Sequence, residues 1–306
     1  MSAGIEADNK FYSLRENAWH KLGYVSGEAL GIEDALVKAD MDFEWTLNPV
    51  HSTVMDDFGM DVLDIPEKFA VIRTNKRDQS RAAYGPVGSR YKVHSAGEIF
   101  GFIDELQGGG AVLETVGSLG RGEREFVVVK LPDNVSVGGN DKSDLYLTGT
   151  TAFDGTASTE FDLTAVRIVC SNTWSLAKSM SKARAKVRHT SELNISNLEK
   201  ARQVLELSGQ LADQMTALGN RLMGISLRDS DAAEILSTLF PFPERVTPGM
   251  SYDTLSTGEK RSVGLAQEQR QKVFTLYKGS PTTPQGENGW ALFNSVTEYA
   301  DWFSPV

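Results

Sequence analysis

The chain has 306 residues, a formal net charge of -10, and 40% hydrophobic against 24% charged residues. That is enough apolar material for a sizeable core, and the single cysteine, Cys170, excludes an internal disulfide framework and fits a reducing compartment. The acidic balance argues against a surface that coats duplex DNA as a whole, although it leaves room for a local cationic groove.

The N-terminal MSAGIEADNKFYSLRENAWHK has no cationic start followed by an apolar run, so it does not read as a signal peptide. No apolar run approaches the ~20 residues a spanning helix needs. The expectation is a soluble protein of the cytoplasm without membrane contact.

Ile32 to Ala39 predicts a helix, and Met41 to Leu47 a strand with Phe43 and Trp45 alternating. Phe69 to Arg73 and Ser89 to His94 are rich enough in β-branched and aromatic residues for strands. Ala96 to Leu106 carries Ile99, Phe100, Ile103 and Leu106 at helical spacing, and Gly108 to Gly110 ends it. Strand-like runs follow at Ala111 to Leu119, Glu125 to Leu131, Leu145 to Thr151 and Thr159 to Val169, most of them separated by turns containing Gly or Asp. This is the pattern of an α+β fold, an antiparallel strand meander with inserted helices, followed by a mainly helical C-terminal part.

From Thr173 the period changes to 3.6, with Leu176, Met180, Ala183 and Val187 on one stripe of an expected helix. Ser196 to Met223 repeats that spacing over a longer span, Ser230 reads as the cap of a helix running to Phe240, and Gly258 to Tyr277 reads as another helix. Lys278 to Gly289 is a loop by composition, and Trp290 to Phe303 fits an aromatic-rich docking helix. The expected division is an α+β core with a basic helix over residues 1–190 and a helical region over residues 191–306.

The basic helix is the most informative segment. Between Leu163 and Thr190 stand Arg167, Lys178, Lys182, Arg184, Lys186 and Arg188, with no Asp or Glu. Lys178, Lys182 and Lys186 would lie one helical turn apart, roughly 6 Å along the axis, close to the phosphate spacing of an extended single strand. No acidic i,i+4 partner within the helix would neutralise them. Trp174 at the helix entry, and Tyr84, Tyr91 and Phe126 near Arg81, Arg90, Lys92 and Arg124, could stack on splayed bases or anchor the core. Gly117 to Gly122 lacks the GK[ST] ending of a nucleotide loop and reads as a hairpin turn tipped with Arg121 and Arg124. His189 reads as a helix C-terminal cation.

No catalytic signature is present: HExxH, CxxC and GxSxG are all missing, and the four histidines are widely spaced. Asp56, Asp57, Asp61 and Asp64 form either a solvated acidic loop or a magnesium site. The expectation is a protein without enzymatic activity, metal or cofactor.

Three stretches, Phe153-Asp-Gly155-Thr156, Arg167-Ile-Val-Cys-Ser-Asn-Thr173 and Gly289-Trp-Ala-Leu-Phe-Asn-Ser-Val-Thr-Glu-Tyr299, resemble the phage/plasmid-like protein family, a domain of unknown function numbered 932. Trp19-His-Lys-Leu-Gly23 and Tyr91-Lys-Val-His-Ser95 fit it as well. The resemblance implies a gene carried by phages, prophages or plasmids and a protein acting inside a bacterial cell. The element order is similar to that of phage single-strand annealing proteins, which implies a basic groove for single-stranded DNA, assembly into a ring or filament, and no metal or nucleotide for catalysis. Arg167, Trp174, Lys178, Lys182, Arg184, Lys186 and Arg188, with Arg121 and Arg124, are the expected contacts to single-stranded DNA in recombination or replication. Two other readings stay open: an interaction protein that binds an acidic host partner, and a metal-dependent nuclease using the aspartate cluster.

Overall fold

A computed structural model describes residues 9–15, 23–57, 59–164, 183–190, 197–247, 250–280 and 286–303. It divides into two compact units, one of Met1–Asn134 with Ser143–Ala212 and one of Val135–Lys142 with Asp213–Val306. The fold is α+β, as the alternation of strand and helix patterns requires.

The first unit is organised by a seven-stranded sheet. Its members are β1 (Phe11–Ser13), β2 (Tyr24–Val25), β6 (Val112–Leu119), β7 (Arg124–Val137), β8 (Asp141–Ala152), β9 (Thr159–Thr164) and β10 (Ala183–Val187). They lie in the order β10-β9-β8-β7-β6-β1-β2. Among the registers described, β1 with β2 is parallel and the remaining pairs are antiparallel. Runs such as Phe126 to Val129 are buried without a break, because the sheet is covered on both faces there. Gly117 marks one close approach: a Cβ there would collide with the Phe11 ring of the neighbouring strand.

Three short helices pack on this sheet. α1 (Ile32–Lys38) buries Ile32, Ala35 and Leu36 at i, i+3 and i+4. Its N-cap, Gly31, has no side chain to offer, so Asp104 Oδ1 accepts the Ile32 N–H at 2.8 Å instead. The helix expected over Ala96 to Leu106 is two pieces, α2 (Ala96–Phe100) and α3 (Phe102–Gly108), interrupted at Gly101. Ser95 and Glu98 form a reciprocal capping box that fixes the start of α2. Phe100 and Phe102 meet Phe161 of β9 edge to face, at 6.2 and 5.2 Å between centroids.

A second sheet of three strands, β3 (Phe43–Asp56), β4 (Gly59–Asn75) and β5 (Arg81–Gly88), packs through Val71, Tyr84, Val87 and Trp45 onto Phe153. Trp45 stacks on the Phe153 ring at 3.7 Å with the planes 14° apart. β3 and β4 are much longer than the apolar runs Met41 to Leu47 and Phe69 to Arg73 predicted. Their far ends form an exposed two-stranded arm in which Met55 faces Met60 and His51 faces Asp64. The strand expected over Ser89 to His94 is instead a turn followed by residues without regular secondary structure. The ladder strand is its predecessor β5, which Gly85 and Pro86 obscure in the sequence.

The expected basic helix is corrected over its last turn. Ala183–Val187 is the edge strand β10, registered so that Arg184 stands opposite Asp162 and Lys186 opposite Glu160. Residues 165–182 lie outside the described residues, and with them Arg167, Trp174, Lys178 and Lys182.

α4 (Asn197–Met223) begins in the first unit and ends in the second, where α5 (Asp229–Leu239), α6 (Thr257–Gly279) and α7 (Gly289–Trp302) share a core built on Leu236, Val273, Tyr277, Ala291 and Tyr299. The start of α5 differs from the expected Ser230 cap: Arg228 is the N-cap, and its N–H is accepted by Asp231 Oδ2 at 3.0 Å. Ser256 and Glu259 form a second capping box at the start of α6. The aromatic helix α7 spends its apolar face inside its own unit, where Trp290 is buried and donates to Asp141 Oδ2 at 2.6 Å. No helix among the described residues is long and apolar enough to cross a membrane.

Candidate nucleic-acid interface

The antiparallel order of the large sheet brings five chain segments to one of its ends. The C-terminus of β6 and the N-terminus of β7 meet there in the turn Gly120 to Glu123, next to the β8–β9 loop and the C-terminus of β10. Phe153 N donates to Glu123 O at 2.8 Å, which ties the β8–β9 loop to that turn. Lys92 N donates to His189 O at 2.5 Å, which ties the segment after β5 to the segment after β10. Four of the residues expected from sequence therefore lie at the same end of the sheet, Arg121 and Arg124 at the β6–β7 turn and Lys186 and Arg188 across β8 and β9 on β10, where the backbone of Lys92 is tied to the residue after Arg188.

The β6–β7 turn is rigidly held. Gly120 and Gly122 adopt φ of +63° and +87°, a region that side-chain-bearing residues avoid. Asn9 Nδ2 donates to Gly120 O at 2.7 Å, and the Tyr84 hydroxyl donates to Arg121 O at 2.8 Å. Glu123 accepts the Arg121 N–H at 2.7 Å. Arg121 and Arg124 are exposed, and Arg124 donates to Thr156 Oγ1 at 3.4 Å. The Phe153-Asp-Gly-Thr156 stretch is the β8–β9 turn: Asp154 Oδ1 accepts from the Thr156 N–H at 2.9 Å and from its hydroxyl at 2.6 Å.

Lys186 behaves differently. Its ammonium meets Glu160 Oε1 at 3.0 Å across the ladder, so part of its charge is already answered. Arg188 is exposed. His189 is not the helix-end cation expected: it is buried, stacks on Tyr91 at 4.8 Å and hydrogen-bonds the Thr151 hydroxyl at 3.3 Å. Burial pushes its pKa below the ordinary value, so the ring is neutral at pH 7. Phe126 and Tyr84 are core residues and present no free face to a base, while Tyr91 is half-buried and donates to Ala152 O at 2.9 Å.

The acidic residues that could hold magnesium gather no such site. Asp56, Asp57, Asp61 and Asp64 are spread along the exposed β3–β4 arm, and Asp64 Oδ1 lies 2.7 Å from His51 Nδ1. No group of three or more His, Cys, Asp or Glu placed to hold a metal occurs among the described residues.

One titratable group under this end of the sheet was invisible in the sequence. Glu125, opposite Ser118 in the β6–β7 ladder, is fully buried, and neither carboxylate oxygen has a hydrogen-bond partner among the described residues. Desolvation pushes its pKa up to about 8, against the smaller opposing pull of Arg73. In the run Arg124-Glu-Phe-Val-Val a glutamate at a strand start reads as a surface residue, and its burial near Arg73 and Tyr84 of the second sheet is settled by long-range packing.

The fold and this site define an α+β protein in which turns and strand ends at one end of a large sheet carry a set of exposed cations. Its sequence matches the family model described as Domain of unknown function (DUF932) over residues 83–305, and the protein belongs to that family. No curated protein and no solved structure matches it.

Proposed function

We propose that this end of the sheet binds single-stranded nucleic acid, and that the protein, phage- or plasmid-borne and working in the bacterial cytoplasm, holds or anneals single-stranded DNA in recombination or replication. The observation that supports this most directly is the convergence of Arg121, Arg124, Lys186 and Arg188, far apart in sequence, on one end of the sheet. Single-strand binding needs cations along a rigid support and draws its free energy from counterion release rather than from an assembled catalytic group. The ring or filament assembly of annealing proteins belongs to the same proposal.

The test is fluorescence anisotropy of a labelled oligonucleotide across a salt series. Arg121→Glu, Arg124→Glu and Arg188→Glu combined will weaken binding and flatten the log-log salt slope by roughly two units, at about 0.7 per single-strand phosphate contact. Lys186→Glu alone will change it less, because Glu160 already pairs with it. Lys178→Glu with Lys182→Glu reports on the cations outside the described residues. No binding at low salt, or binding unchanged in every variant, ends the proposal.

A second reading has one observation in its favour. The β3–β4 arm exposes Met55, Met60, Val62 and Leu63, and an apolar, adaptable surface of that kind suits a protein partner.

A further inference from the structure

We infer that a cavity between the β6–β7 turn and the three-stranded sheet is a binding site for a single phosphate group, held by the guanidinium groups of Arg73 and Arg121. The inference does not rest on the nucleic-acid reading, because an isolated phosphate is its ligand.

The cavity has a volume of about 200 Å³, and its wall includes Lys10, Arg73, Asn75, Ser80, Ser118 and Arg121. Cavities of ~300–1,000 Å³ take drug-sized ligands, so this one has room for a phosphate and a few waters but not for a base with its sugar. Three cationic residues line it, Lys10, Arg73 and Arg121, against one acidic residue, Asp78. Asp78 is turned to its own loop, where Oδ1 accepts the Ser80 N–H at 2.9 Å. Lys10 is paired with Asp40 at 3.0 Å, which leaves the two arginines.

Neither arginine has a carboxylate within salt-bridge distance among the described residues. Among the described residues Arg73 makes one hydrogen bond, a long one of 3.5 Å to Gly122 O, which leaves most of its five N–H donors unspent there. It is nevertheless held in place, with its guanidinium carbon 4.6 Å from the centre of the Phe43 ring and 5.7 Å from that of Tyr84. Gly122 completes the cradle, since a Cβ there would collide with Arg73 Nη1. The carboxyl of Glu125 lies beneath without reaching Arg73, and its burial keeps it uncharged at pH 7, so it does not neutralise the guanidinium. The preorganised guanidinium of Arg73 and the exposed one of Arg121, both with unspent donors and both at a small polar cavity, match the charge of a phosphate dianion.

The probe is inorganic phosphate, titrated calorimetrically at low ionic strength. One equivalent will bind, and Arg121→Gln, on an exposed turn that tolerates the change, will weaken it about tenfold, the effect of losing one charge-assisted contact. Arg73→Lys keeps charge and stem but loses the fork, and will weaken phosphate by a similar factor. Lys142→Gln, an exposed cation outside the cavity, will leave it unchanged. Absence of phosphate binding, or an equal loss in Lys142→Gln, overturns the inference. Matched oligonucleotides with and without a 5′-phosphate identify the source: displacement of inorganic phosphate by the phosphorylated strand alone assigns the site to a strand end. Binding of inorganic phosphate that neither strand displaces supports a site for a free phosphate or small phosphomonoester. An oligonucleotide that fails to bind at all leaves the phosphate titration standing.

Discussion

Replacing Glu125 by glutamine will stabilise the protein at pH 8 and remove much of its pH dependence between pH 5 and 8. In the folded chain the carboxyl is protonated up to about pH 8, whereas in the unfolded chain it ionises near its ordinary value of 4.5. Between those values the folded state holds one proton more, so stability falls as pH rises, by about 1.4 kcal/mol per pH unit. The accumulated loss is about 5 kcal/mol at pH 8 and above, and it vanishes below pH 4.5. The glutamine amide is left without partners in the same pocket, at a cost of ~1–3 kcal/mol, which leaves a net gain of about 2–4 kcal/mol at pH 8 and none at pH 5. Urea unfolding of both proteins at pH 5, 6, 7 and 8 measures this directly. Two stability curves that run parallel across that range would show that Glu125 titrates normally.

The second large effect concerns Phe153, which has no exposed surface and carries the contact between the two sheets of the first unit. Phe153→Ala removes the face on which Trp45 stacks and opens a cavity at the centre of that contact, and the expected loss is about 3–5 kcal/mol. Phe153→Leu keeps most of the volume and will cost less than about 1.5 kcal/mol. The backbone N–H of residue 153 that donates to Glu123 O is kept in the alanine variant, but the loop that carries it loses its ring anchor, so the tie to the β6–β7 turn loosens and a labelled oligonucleotide will bind more weakly even where the protein remains folded. A loss below about 1 kcal/mol in the alanine variant would mean that the sheets are held together elsewhere.

The strands of the meander were legible because Phe126 to Val129 and Leu145 to Leu147 are apolar runs bounded by turn residues, and burial on both faces is the reason they are apolar. The long helices were legible from their 3.6-residue period, and their ends shifted where a neighbouring residue supplied the cap. The segment Ala183-Arg-Ala-Lys-Val187 misled because it satisfies two periods at once. Ala183 and Val187 fit a helical stripe, while the alternation of small or apolar residues with Arg184 and Lys186 fits a strand, and pairing with β9 decided it. The distal arm was missed because residues that face water on both sides leave no pattern. Ser89 to His94 has strand composition, but its Lys92 N–H is spent on His189 rather than on a ladder.

The candidate site was legible in its charges and not in its geometry. Arg121 and Arg124 could be placed on a turn from the glycines around them. Nothing local announces that Lys186 and Arg188 reach the same end of the sheet, since strand order is settled by long-range pairing. Arg73 and Glu125 were hidden for the same reason: each sits in a run that reads as ordinary strand, and their significance lies in what the other sheet brings against them.

The exposed cations stand on turns and strand ends, whereas the ladder below them is built from buried valines, leucines and phenylalanines. Charge and scaffold are thus drawn from separate sets of letters. Exchange of Arg121, Arg124 or Arg188 alone leaves the turn glycines, the Asp154–Thr156 hydrogen bonds and the buried ladder untouched, so the charge of this end of the sheet can be rewritten without rebuilding what lies under it.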